Sequence, residues 1–157
     1  PVEVIKDKFE EYYDDGVRYI SDEMIEIYGL KIYGTPYQPY FCNWAFNVSD
    51  SNKLYEIYKN IPDNLDILIT HCPPYDILDK SHQPRPYYGR TGEEPLGSDE
   101  LKKALSELNV KPRYHVFGHI HGDGGKIVEK NGTKFINASV CDEAYQPVND
   151  IITLDIN

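Results

Sequence analysis

Between His115 and Gly124 the sequence reads HVFGHIHGDG, three histidines and three glycines in ten residues. Neutral imidazole is the commonest protein donor to zinc, iron and similar ions, so the pair His119 and His121 suggests metal chemistry. Two residues apart is too close for one face of a helix, which needs a spacing of three or four. On an extended segment the two rings point the same way and can approach ions roughly 3.5–4 Å apart, the separation of two-ion sites. Gly118 and Gly122 bracket the pair and would let the backbone turn sharply. A third histidine, His71, ends the apolar run DILITH just before Cys72-Pro73-Pro74. In layered folds, ligand sites form at the carboxyl ends of strands. The expectation is that His71, His119 and His121 converge as metal ligands.

The other candidates carry less. His115 precedes the apolar pair Val116-Phe117 and reads as a structural histidine that finds a hydrogen bond in the core. His82, among Ser, Gln and Pro, reads as loop surface. Cys72 is soft enough to bind a metal. It follows His71 directly, however, and neighbours on a strand face opposite ways, so Cys72 should pack while His71 coordinates. The sequence has no phosphate-cradling Gly-Lys-Ser/Thr loop, no nucleophile elbow and no CxxC pair.

These residues need elements to position them. Val2 to Tyr13 has helical apolar spacing and ends near Asp14-Asp15-Gly16. VRYI, MIEIYG and LKIYG read as successive strands, and TPYQPYFCNWAFN as an ordered aromatic loop whose prolines forbid a helix or a central strand. Ser51 to Ile61 is a helix starting at Ser49 to Ser51, and DILITH is a buried strand. A long loop follows, to Gly97. Ser98 then caps a helix with Asp99 and Glu100 in its first turn and Leu101, Ala104, Leu105 and Leu108 on one face. YHVFG is a strand, KIVEK and KFINAS pair across Asn131-Gly132, and IITLDI closes as a last strand. The reading is a mixed α and β fold (α+β or α/β) in a single domain.

Composition bounds the function. The chain has 157 residues, 40% hydrophobic and 13% aromatic, with 14 tyrosines, enough for a folded core. Sixteen basic residues against 26 acidic give a net charge of −10, which repels phosphate backbones and speaks against binding long nucleic acid. Cys42, Cys72 and Cys141 are too few for a disulfide framework and suit a reducing, cytoplasmic compartment. No 18-residue apolar run exists to span a membrane. The chain opens on Pro1, which suggests that further sequence precedes it.

ILITHCPP and YHVFGHIHGDG resemble the last two metal-binding blocks of the calcineurin-like metallophosphoesterases. IYGTPYQPYFCNWAFN, FINASVC and YQPVNDIITLDI are similar to segments of one branch, the metallophosphoesterase domain-containing proteins. The resemblance implies a four-layer α-β-β-α sandwich, of which this chain would supply the C-terminal half. It also implies a phosphoester hydrolase with two divalent ions (Mn, Fe or Zn), acting on a small phosphoester or nucleotide. His71 and His119 would hold one ion, and His121 would help hold the other. The family's Asp-x-His, Gly-Asp and Gly-Asn-His blocks have no counterpart here, so the bridging carboxylate and the acid for the leaving group are expected in a missing N-terminal half or a completing chain. Tyr40 and Trp44 are candidates to stack on a nucleobase or aryl group. The rival reading is a non-catalytic nucleotide- or phosphate-binding module that has lost part of the metal site.

Overall fold

A computed structural model describes residues 2–82 and 93–156. Part of the long loop expected before Gly97, residues 83–92, lies outside them. Helix α1 (Val2–Glu10) leads through turns to strands β1 (Glu23–Ile27) and β2 (Leu30–Thr35), an antiparallel hairpin. Its turn residues Tyr28 and Gly29 both have positive φ, as a two-residue hairpin turn matched to strand twist requires. The aromatic loop contains only the two-residue strands β3 (Gln38–Pro39) and β4 (Asn47–Val48). Helix α2 (Ser51–Tyr58), β5 (Ile67–Thr70), helix α3 (Asp99–Glu107) and β6 (Tyr114–Phe117) follow, then the hairpin of β7 (Ile127–Lys130) and β8 (Thr133–Asn137). The main sheet runs β1-β2-β5-β6-β8-β7, four parallel strands between two antiparallel outer ones. The mixed α and β class expected from the sequence is thus observed.

Local chemistry explains the helices. Ser98 Oγ accepts from Leu101 N–H at 3.1 Å, as expected of an N-cap, with Asp99 and Glu100 against the positive end of the helix dipole. In α2 the cap is Asp50, which takes the N–H groups of Asn52 and Lys53. Leu54 and Tyr58 of α2 and Leu101, Ala104 and Leu105 of α3 pack with Tyr33, Leu68, Phe117 and Phe135 from one face of the sheet. The register puts Ile32, Ile67, Ile69 and Val116 on the reverse face. There Ile69 is 40% exposed and the other three are half-buried.

Two expected strands are not strands. VRYI is irregular, though Ile20 still lies over Gly34, where any Cβ would collide with it. IITLDI is also irregular, with Ile151 84% exposed. Alternating residues supply two faces, but a strand also needs a neighbour with free backbone groups, and this segment pairs with none among the described residues.

Candidate functional site

The carboxyl ends of β2, β5 and β6 open at the same end of the sheet. His71 directly follows β5, and Gly118-His119 directly follows β6. Backbone bonds fix this junction: Gly118 N–H donates to the His71 carbonyl at 3.2 Å, and Thr70 Oγ1 donates to the Cys72 carbonyl at 2.7 Å, bracketing His71. His71 and His119 end with ring centroids 4.7 Å apart. His71, His119, His121, Tyr40 and Trp44 all line one cavity of about 790 Å³. Cys72 turns to the core, 2% exposed, with its Sγ 3.5 Å from the Tyr58 hydroxyl, and burial pushes its thiol up to about 11.

The histidine pair does not lie on one straight extended segment. His119 itself takes a left-handed backbone, φ 66°, and His121 opens a short 3-10 turn to Asp123. Neither Gly118 nor Gly122 makes the sharp turn expected of it. Gly122 serves close approach instead, since a Cβ there would run into the Lys80 carbonyl. The two rings therefore acquire different neighbours. His119 faces His71 and takes the edges of Phe41 and Trp44, at centroid distances of 5.5 and 6.1 Å. His121 lies 5.3 Å from the ring of Tyr145, and its Nδ1 donates to the Asp142 carbonyl at 2.8 Å.

Electrostatics keep the pair neutral. Burial lowers the His71 pKa. Burial, then repulsion from His71 and His121, holds His119 down to about 4. Both rings therefore offer lone pairs at pH 7, the form that binds metals. As donors they suit Mn, Fe or Zn, and His71 with His119 can serve one ion. Among the described residues, however, no three His, Cys, Asp or Glu side chains are grouped closely enough to hold a metal ion. The fit is right in chemistry and short in number.

The aromatic loop is built to hold its rings at this mouth. Asn47 Oδ1 accepts from Phe41 N–H and Gln38 Nε2, both at 3.2 Å, while Asn47 Nδ2 donates to the Phe41 carbonyl at 2.9 Å. Cys42, Asn43 and Phe46 all have positive φ, so these bonds hold the loop in a costly conformation. Trp44 and Tyr40 are 50% and 60% exposed, available to a ligand. Phe41, which closes on His119, escaped sequence reasoning, because nothing local distinguishes it from its aromatic neighbours.

The remaining histidines divide. His115 is fully buried, with Nε2 2.9 Å from Thr70 Oγ1, as expected of a structural residue, and burial lowers its pKa to about 3. His82 is more than loop surface. Its ring nitrogens meet Glu93 at 2.6 Å and Asp123 at 3.1 Å, and these two carboxylates raise its pKa. Their sequence distance hid the clamp.

No family model matches the chain. Metallophosphoesterase domain-containing protein 1 of Homo sapiens is 40% identical over 138 residues, 88% of this chain and 39% of that protein. Two UPF0046 proteins of Caenorhabditis elegans are 38% and 37% identical, each over 88% of this chain and over 32% and 46% of their own lengths. The chain thus spans well under two thirds of the length of the curated relatives it matches. No helix among the described residues is long and apolar enough to cross a membrane. Over 88% of its length, the chain is thus similar to proteins named metallophosphoesterase domain-containing protein 1.

Proposed function

We propose that the chain forms part of a metal-dependent phosphoester hydrolase that cleaves a small phosphodiester or nucleotide-like substrate. The observation that carries this reading is the neutral pair His71 and His119, 4.7 Å apart at the strand ends, with His121 on the same cavity. His71 and His119 would hold one divalent ion and His121 would help hold a second, with the remaining donors and the acid for the leaving group supplied from outside these residues. When bound, such ions supply a nucleophilic water near neutral pH and offset charge on the phosphoryl oxygens. The chain's own residues do the rest. Phe41 and Trp44 brace His119 from the side, and the exposed rings of Tyr40 and Trp44 offer flat faces to a base or aryl leaving group. The half-covered apolar face around Ile69 supports a second layer packed against the sheet, as in a four-layer sandwich.

Zn²⁺ or Mn²⁺ titration of the chain tests the ligand set. His71→Ala and His119→Ala should each weaken the same ion about tenfold or more, with the double variant costing less than the sum of the two. Aryl phosphodiester hydrolysis by the chain alone, with added Mn²⁺, should stay at background, because an incomplete donor set aims the water poorly. Binding indifferent to both histidine substitutions would overturn the reading. The short donor count favours the second reading, a nucleotide- or phosphate-binding module without catalysis. That reading requires phosphate or nucleotide binding that survives EDTA.

A further inference from the structure

His121 Nδ1 meets the Asp142 carbonyl at 2.8 Å. A carbonyl only accepts, so Nδ1 carries the proton, and in the neutral ring the lone pair sits on Nε2. His121 lines the cavity, and its Nε2 has no hydrogen-bond partner among the described residues. One backbone oxygen thus decides which nitrogen the cavity receives.

The turn that carries this oxygen is braced from several directions. Asp142 Oδ1 accepts the N–H groups of Ala144 at 2.8 Å and Gln146 at 2.9 Å. Tyr145 N–H reaches the same Asp142 carbonyl at 3.0 Å, and Asp142 N–H donates to Gln146 O at 2.8 Å. Tyr145 sits at φ 60°, a conformation a non-glycine residue keeps only when its surroundings impose it. Glu143 ties the turn to the neighbouring loop, accepting from Ser81 Oγ and, at 3.0 Å, from His82 N–H. Two adjacent carboxylates are thus engaged by the backbone and a hydroxyl, in a turn whose Asp142 carbonyl accepts from His121.

We propose that Asp142 is a positioning residue for His121: its carboxylate closes the 142–146 turn, and the turn's carbonyl fixes the imidazole in the tautomer that bares Nε2 to the cavity. The metal arm of the test rests on reading His121 as an ion donor; the tautomer arm does not.

The experiment is two-bond ¹⁵N–¹H correlation of the His121 ring in the metal-free 157-residue chain, followed by Zn²⁺ titration. The wild type should show one tautomer, protonated at Nδ1. Asp142→Ala should shift the ring toward a mixture of tautomers and weaken Zn²⁺ about tenfold, the usual cost of losing an outer-shell partner. Asp142→Asn keeps an oxygen acceptor at the same place and should restore both readouts. Denaturation curves separate this effect from a general loss of fold, which would not be tautomer-specific. Should Asp142→Ala fail to fold, Asp142→Ser, with a single shorter acceptor, carries the same test. An unchanged tautomer in the folded variant overturns the proposal. A shifted tautomer with unchanged Zn²⁺ affinity upholds the positioning role and overturns His121 as an ion donor.

Discussion

Leu68 and Ile69 are neighbours on β5, yet they face different environments. Leu68 is fully buried beneath α2 and α3, whereas Ile69 on the reverse face is 40% exposed. Along β6 the division is partial: His115 and Phe117 are buried and Val116 between them is half-buried, but Tyr114, on the face of Val116, is buried too. One face is a closed core, finished by residues of this chain. The other is apolar and open around Ile69. Around Ile69 the reverse face should therefore tolerate change better than the helix side, whereas Tyr114 and Ile136, on the same reverse face, are buried.

Leu68→Ala should have the largest effect, costing about 3 kcal/mol in chemical denaturation, because it removes buried methyls and leaves a cavity between strand and helices. A cost under about 1 kcal/mol would mean that the helix face is not a closed core.

His115 sharpens the comparison through pH. In the folded chain it takes a proton only near pH 3, against 6.5 for the ordinary imidazole, because burial penalises the charge. Below pH 6.5 protons therefore favour the unfolded chain. The residue's contribution is complete above that pH and is lost as the pH falls toward 3. By pH 4 the loss should reach about 3 kcal/mol. His115→Gln should flatten the stability curve between pH 6.5 and 4 relative to wild type; equal slopes would place the proton elsewhere.

The smallest effect is expected on the reverse face. Ile69→Ala should cost less than about 1 kcal/mol, since the side chain is already partly in water. A loss matching that of Leu68→Ala would show that the reverse face is closed in solution, for instance by a second copy. Concentration-dependent sedimentation would then reveal it.

What the sequence disclosed follows the range of the interactions. Ser98 as a cap and Asn131-Gly132 as a hairpin turn were legible because each is settled within a few residues. That His71, His119 and His121 share a cavity was legible because strand ends in a parallel sheet gather at one edge. The backbone reversal at His119 was not, because a glycine adopts the left-handed conformation more cheaply than the histidine beside it. The clamp on His82 and the carbonyl of Asp142 were hidden by distance: Asp123 is 41 residues from His82, and Asp142 is 21 residues from His121. IITLDI has the composition of a strand, and only the finished sheet shows that it has no neighbour among the described residues.

The two outer hairpin arms have a consequence for handling the protein at high concentration. All four residues of β7 are exposed, Ile127 at 50% and Val128 at 38%, and β1 presents Met24 at 47%. Each arm has a row of backbone donors and acceptors on its outer side, a template onto which another chain can add a strand. Glu23 and Glu26 on β1, and Glu129 and Lys130 on β7, are the charges set against such addition. Neutralising Glu129 and Lys130 together would remove that guard from β7 and leave its edge open as a seed for sheet-to-sheet aggregation.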